Sequence, residues 1–77
     1  MIGKYGPIAT ETESYDDGFS TGKKWDKDWV PGGPYVPGGW RSDKDWVAYC
    51  DQAKLNNERW LAGWRDGVVR RQDGVLS

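Results

Sequence analysis

Apolar and polar positions repeat with a helical period in two stretches of the chain, residues 15–22 (YDDGFSTG) and 60–67 (WLAGWRDG), which share one template. Both read aromatic-x-x-Gly-aromatic-x-x-Gly, so the rings form a stripe on one helix face and the glycines form a smooth ridge beside it. Glycine inside a helix costs about 0.5–1 kcal/mol relative to alanine. Four glycines at one spacing therefore indicate close approach of another backbone, as in small-x-x-x-small helix pairs. The pattern predicts two helices packed together.

The first helix is predicted to run from about residue 11 to about residue 27, after an irregular arm at residues 1–10. Thr10 and Ser14 are both possible N-caps, because each is followed three residues later by an acid that completes a capping box. Acidic residues in the first turns favour the positive end of the helix dipole. Trp25 is expected near the C-terminal end.

Two further helices are predicted in the second half of the chain. Ser42 opens a capping box with an aspartate three residues on, followed by a short amphipathic helix at about 43–54. Residues 55–57 (LNN) interrupt that pattern, and Asn57 is a good N-cap. The last helix then runs from about 58 to about 72, with a glycine beyond it as a stop signal.

The intervening segment at 28–42 contains the unit Val-Pro-Gly-Gly twice, each time followed within two residues by an aromatic residue. Pro-Gly pairs favour turns, so the segment is predicted to be a long ordered loop. Its rings, Tyr35 and Trp40, have two interpretations. The favoured one is that they fold back to cap the helix pair, because a small domain needs buried rings. The alternative is that they form a binding platform.

Aromatic residues must supply most of the core of this 77-residue chain, which has six tryptophans, four tyrosines and one phenylalanine. A buried ring removes about 150–250 Å² from water, which compensates for the small size. The predicted fold is mainly α. It is a small single domain in which two Gly/aromatic helices pack together, with a short middle helix and a long Pro/Gly/aromatic loop.

Residue types needed for catalysis or metal binding are scarce. The chain has no histidine and one cysteine, Cys50, whose helical position indicates a core residue. The segment 18–24 (GFSTGKK) departs from a phosphate-binding loop in spacing and lacks its final Ser/Thr. We therefore expect no enzymatic activity, no cofactor and no metal. The absence of an apolar run at the N-terminus and of a disulfide framework predicts a cytoplasmic protein without a membrane partner.

The stretch 57–67 (NERWLAGWRDG) resembles the second helix of ribosome modulation factor, a family with a similar polar cap followed by Trp-Leu-Gly-Gly-Trp-Arg-Glu. The family's first helix has a Gly-Tyr-x-x-Gly core, which residues 18–22 (GFSTG) resemble. The resemblance covers about a third of the chain. Members of the family are short and strongly basic, whereas this chain has a net charge of −1 and about twenty-five additional residues between the paired helices.

The resemblance implies a small helical protein that binds the small ribosomal subunit near the 3′ end of the 16S rRNA and down-regulates translation. Carried over by position, Arg59 and Arg65 lie on the helix that faces RNA, and Lys23 and Lys24 follow the first helix. Arginines at the end of the last helix complete the predicted RNA-binding set, which is Lys23, Lys24, Arg59, Arg65, Arg70 and Arg71. The predicted structural set is Gly18, Gly22, Gly63, Gly67, Trp60 and Trp64.

A second hypothesis fits the low positive charge and the inserted loop. In it, the same scaffold serves a phage or a mobile element as an accessory protein that binds and inhibits a host protein. The contact residues would then be Tyr35 and Trp40, because aromatic side chains dominate interface hot spots.

Overall fold

A computed structural model describes residues 7–38 and 41–76 of the chain. The protein is a small, mainly helical single domain with two helices, α1 (Glu11–Lys23) and α2 (Lys44–Leu76), packed against each other. No strand occurs within the described ranges. The predicted packed helix pair is confirmed. Most of the predicted arm at 1–10 lies outside the described residues.

Helix α1 begins at the predicted capping box of Thr10. The Thr10 hydroxyl accepts a hydrogen bond from the Glu13 amide at 3.1 Å, and the Glu13 carboxylate accepts one from the Thr10 amide at 3.1 Å. Ser14, the other candidate cap, is buried inside the helix. The helix ends at Lys23, four residues earlier than predicted, because Trp25 leaves the helical path to pack on α2.

Helix α2 is one continuous element of 33 residues, and this corrects the prediction of separate helices at 43–54 and 58–72. Its first turn is capped by Asp43 rather than Ser42, since the Asp43 carboxylate accepts a hydrogen bond from the Trp46 amide at 2.9 Å. Asn57, predicted to be an N-cap, lies in the middle of the helix. Its side chain donates to the backbone of the connection between the helices, so it does not compete with the helix for hydrogen bonds.

The two glycine ridges form the seam between the helices. A β-carbon at Gly18 would lie 2.8 Å from the carbonyl carbon of Trp60, and closer still to its oxygen. A β-carbon at Gly63 would lie 3.0 Å from the carbonyl carbon of Tyr15. Such separations leave no room for a side chain. Each helix therefore packs its glycines directly against the backbone of the other helix.

The order of these contacts fixes the direction of the helices. Moving one turn along α1, from Gly18 to Gly22, moves the contact one turn along α2 in the same sense, from Trp60 to Trp64. The helices are therefore parallel. Because the helices are parallel, the chain must return from the C-terminal end of α1, beside position 67 of α2, to the start of α2 at position 44. At about 1.5 Å per residue of helix, that distance is about 35 Å.

The described part of the connection, residues 24–38 and 41–43, runs back along α2. It contacts Trp64 through Trp25, then the side chain of Asn57, and finally the first turns of α2, where Gly38 accepts a hydrogen bond from the Trp46 indole at 3.0 Å. The resulting particle measures 51 × 24 × 13 Å. Its radius of gyration is 14.8 Å, against about 11–12 Å for a round domain of this length. The protein is therefore an elongated rod along α2.

The fully shielded interior is small. Besides glycines and the prolines of the connection, the buried apolar residues of the described part are Cys50 and Ala53, exposed by 5% and 7%. The predicted core position of Cys50 is confirmed. Trp60 and Trp64, expected to be largely buried, are only half-buried. Close contact between glycine-lined backbones leaves no deep space between the helices, so the rings lie over the edges of the seam.

Candidate binding surfaces

Two reciprocal hydrogen bonds link aromatic residues of one helix to aspartates of the other. The Trp60 indole Nε1 donates to Asp17 Oδ2 at 2.8 Å, and the Tyr15 hydroxyl donates to Asp66 Oδ2. The hydrogen bond to Asp66, followed by desolvation and by the negative charge of Asp66, raises the pKa of Tyr15 above its ordinary value. Both bonds lie at the surface of the seam, so the aspartates beside the glycines hold the rings in place.

Two of the arginines predicted to bind RNA are engaged within the protein. Arg59 Nε lies 3.2 Å from Glu11 Oε1, an ion pair that joins α2 to the first turn of α1. Arg71 donates a hydrogen bond to the carbonyl oxygen of Trp25, where the chain leaves α1. These contacts give both arginines a place in the fold.

The other four residues of the predicted RNA-binding set are exposed: Lys23, Lys24, Arg65 and Arg70. The ammonium group of Lys23 lies 5.8 Å from the centroid of the Phe19 ring, within the range of a cation–π contact. Lys23 and Lys24 end α1 beside Gly67 of α2. The exposed basic residues therefore concentrate toward the end where both helices reach their C-termini.

The arginines of α2 do not share one face. Arg65 and Arg70 are five residues apart, which is about 140° around the helix axis. Arg59 and Arg70 point to similar sides, but eleven residues separate them by about 16 Å along the axis. The structure thus distributes the predicted set around α2 rather than gathering it into a single patch.

The connection carries a second candidate surface. Tyr35 is 84% exposed, and Trp29 and Val30 are 55% and 73% exposed. The favoured prediction that Tyr35 folds back to cap the helices is therefore wrong. Pro31 and Pro37, on either side of it in the connection, are buried instead. Trp40, the other predicted contact residue, lies outside the described residues.

A cavity of about 160 Å³ opens beside Tyr35. Ser14, Ala53 and Asn56 form its buried floor, and the loop residues Pro34 and Pro37 contribute to its rim. Small-molecule sites usually enclose about 300–1,000 Å³, so this cavity has the size to accept a single side chain.

Asn56 and Asn57 are the residues whose roles the sequence analysis missed. Buried Asn56 donates to the carbonyl oxygen of Ala9 at 2.7 Å, and Asn57 donates to those of Gly32 and Pro34 at 3.0 and 2.9 Å. A signal was present, because the core-facing positions 46, 50, 53, 57, 60 and 64 continue in phase through the supposed interruption. The Asn56 side chain thus binds the N-terminal segment to the middle of α2, and the Asn57 side chain binds the connection there.

Trp64 has an unusual environment at the end of the seam. Its indole Nε1 is buried and has no hydrogen-bond partner within the described part of the chain. The ring lies edge-to-face with Trp25, with centroids 5.7 Å apart and planes at 90°. The aromatic contact between Trp25 and Trp64 thus covers the end of the seam at the C-terminus of α1.

The described residues contain no group of three or more potential metal ligands. Within the same ranges, neither helix is long and apolar enough to cross a membrane. Comparison of the chain with protein-family models, curated proteins and solved structures found no match. The resemblance to ribosome modulation factor stays a prediction, carried by the residues of the seam.

Proposed function

We propose that this chain is a small non-enzymatic binding protein resembling ribosome modulation factor, which binds the small ribosomal subunit through 16S rRNA and down-regulates translation. The observation that carries the proposal is the seam. The two stretches in which the resemblance lies are the stretches that pack through Gly18, Gly22, Gly63 and Gly67. The helix pair thereby holds Arg65 on the surface, next to the motif's second tryptophan.

The exposed arginines would carry the interaction with phosphates. Arg65 and Arg70 are the best placed, because Arg59 and Arg71 already bind Glu11 and the Trp25 carbonyl. A few phosphate contacts suffice for a salt-sensitive interaction, since each one lowers the slope of log K against log salt by about 0.7–0.9. Binding in the cytoplasm would then depend on a small number of basic side chains rather than on net charge.

Co-sedimentation with purified small subunits tests the proposal, at about 50–300 mM salt, which is about a sixfold range of ionic strength. We expect the wild-type protein to sediment at low salt, and Arg65→Ala/Arg70→Ala to weaken binding and flatten the slope by about 1.4–1.8. Lys44→Ala/Lys54→Ala is the matched control, because it removes two exposed charges from the same helix outside the predicted set. No sedimentation at low salt, or equal losses in the two double variants, would contradict the proposal.

A second candidate function is favoured by the exposure of the loop. The 84% exposure of Tyr35, with Trp29 and Val30 nearby in sequence and also exposed, provides apolar area outside the helix pair. The side-chain-sized cavity next to Tyr35 offers a matching recess for a residue of a bound protein. In this alternative, the chain is a phage or mobile-element accessory protein that binds and inhibits a host protein through its aromatic loop.

The two functions respond differently to substitution. Binding to a host protein should be lost in Tyr35→Ala at unchanged helicity, measured by circular dichroism, and should be nearly unchanged in Arg65→Ala/Arg70→Ala. Binding to the ribosome should show the reverse order. Recovery of ribosomal RNA from the complex, measured beside its protein content, identifies which partner each variant has lost.

A further inference from the structure

The cavity beside Tyr35 lies where four parts of the chain meet. Ile8 comes from the N-terminal segment and Ser14 from α1, whereas Pro37 comes from the connection and Ala53 from α2. The volume of about 160 Å³ is close to that of an apolar protein cavity of about 150 Å³ that holds one benzene molecule. The cavity therefore has room for a single six-membered ring, and only the folded chain assembles it.

Ser14 brings an available hydrogen-bonding group to the floor of the cavity. The residue is 6% exposed, and its backbone N–H donates to the Thr10 carbonyl oxygen at 3.0 Å. Its side-chain hydroxyl has no hydrogen-bond partner within residues 7–38 and 41–76. In the same ranges, the unpartnered side-chain group that is wholly shielded is the Trp64 indole. The Ser14 oxygen therefore keeps a little accessible surface, and that surface faces the cavity which Ser14 lines.

Asn56 is the other polar residue of the floor, and its side chain is already engaged. It donates to the Ala9 carbonyl oxygen at 2.7 Å and accepts a hydrogen bond from the Gln52 side chain at 2.8 Å. The rest of the lining consists of alkyl groups, proline rings and tyrosine rings, and it includes no charged residue. A charged ligand would lose its hydration there without gaining an opposite charge. The lining therefore favours a neutral ligand that hydrogen-bonds to Ser14.

We propose that this cavity is a binding site for a neutral phenol ring, with the Ser14 hydroxyl bonded to the hydroxyl of the ligand. A serine hydroxyl donates one hydrogen bond and can also accept, so it can pair with a second hydroxyl in either direction. The apolar walls enclose the ring, and burial of the ring carbons provides most of the affinity. The hydroxyl that the fold leaves without a partner gains one when the ligand enters.

A phenol ring can reach the cavity from two sources, as a free small molecule or as the side chain of a tyrosine on a bound protein. The second source deepens the alternative function, in which a host protein binds beside Tyr35, and it rests on that function. The first source is independent of both proposed functions. None of the basic residues proposed to bind RNA lines the cavity, so the site does not depend on ribosome binding.

NMR titration of the isotope-labelled full chain with phenol and with benzene, each up to about 10 mM, tests the proposal. At about pH 7 phenol is neutral, because a phenolic hydroxyl has a pKa of about 10. We expect both ligands to give saturable shifts at the amides of Ser14, Ala53 and Asn56. Phenol should bind about fivefold more tightly, which is the effect of one neutral hydrogen bond. Absence of these shifts, or equal affinity for the two ligands, would overturn the proposal.

Ser14→Ala isolates the contribution of the hydroxyl. Alanine favours helix, so the variant should fold, bind benzene as before and lose its preference for phenol. Ser20→Ala removes an exposed hydroxyl from the same helix and is the matched control, which should keep the preference. Ala53→Leu should fill the cavity and abolish binding of both ligands, with circular dichroism as the check on its fold. If that variant does not fold, Ser14→Ala decides, and a retained preference for phenol in it would refute the role of Ser14.

A capped Gly-Tyr-Gly peptide distinguishes the two sources of the ring. Shifts at the same amides, weaker with capped Gly-Phe-Gly, would assign the cavity to a tyrosine side chain of a bound protein. Binding of phenol without binding of the peptide would assign it to free phenols. All these titrations use the isolated chain, without ribosomes or a host protein. Their failure is therefore distinct from a failure of the co-sedimentation experiment, which does not involve the cavity.

Discussion

Gly18 packs directly on the backbone of Trp60, where a β-carbon would lie 2.8 Å from the carbonyl carbon. The reciprocal contact joins Gly63 to Tyr15. Tyr15 and Trp60 hold the same place in the two motifs, as do Gly18 and Gly63, and both pairs are forty-five residues apart (60 − 15 and 63 − 18). Equivalent positions of the two motifs, forty-five residues apart in sequence, therefore lie side by side in the two parallel helices.

Gly63→Ala should destabilise the protein. The added methyl group would meet the Tyr15 carbonyl and force the helices apart, at a cost of about 1–3 kcal/mol. This exceeds the gain of about 0.5–1 kcal/mol in helix propensity. Gly74→Ala is the matched control, because that glycine of the same helix has open space around it and should give the propensity gain alone. Urea unfolding of both variants measures the difference, and equal stabilisation of the two would contradict the seam.

Gly33 should be sensitive to substitution for two reasons. Its φ of +82° is in the left-handed region that disfavours side chains, and a β-carbon would lie 2.6 Å from Asn57 Nδ2. Gly33→Ala should therefore cost about 1–2 kcal/mol and loosen the connection. Its neighbour Gly32 has nothing within 4 Å of a β-carbon. Gly32→Ala should thus leave the melting temperature nearly unchanged, and similar losses in the two variants would refute this role of Gly33.

The stability of the helix pair should fall at alkaline pH through Tyr15. Its pKa in the folded state is raised, first by the hydrogen bond to Asp66, above the value of 10.0 that applies to the unfolded chain. The neutral hydroxyl is thus favoured by folding, and the stability it contributes is present below pH 10.0 and lost as pH rises through the folded pKa. Unfolding free energies from neutral to strongly alkaline pH should fall less steeply for Tyr15→Phe. A wild-type slope in Tyr15→Phe would contradict this role of the hydrogen bond to Asp66.

Cys50 should react slowly with a thiol reagent in the native protein. Its side chain is 5% exposed, with Sγ 3.7 Å from the Gly38 carbonyl oxygen, so modification requires the connection to leave α2. Labelling should become fast in denaturant. Rapid labelling of the native protein would mean that the connection does not cover the first turns of α2.

The sequence by itself determined that the two Gly/aromatic stretches are helical and pack together, that α1 begins near residue 11 and which glycines form the seam. These features depend on local chemistry: the Thr10–Glu13 capping box needs only its own turn, and the four-residue spacing of glycine acts within each helix. It also predicted correctly that Cys50 would be buried, since helical periodicity places it on the inner face.

Only the tertiary structure decided the direction of the helices, the continuity of α2 and the exposure of Tyr35. A glycine ridge accepts a backbone running either way, so the long connection along α2 is what permits the parallel pair. Asn56 and Asn57 have modest helix propensity, and hydrogen bonds to Ala9, Gly32 and Pro34 outweigh it. The two Asn57 contacts and the buried prolines hold the connection with Tyr35 outward. The direction of the helices and the exposure of Tyr35 depend on residues far apart in sequence, which no local pattern encodes. The continuity of α2 did have a local signal, in the core-facing positions that stay in phase through residues 55–57.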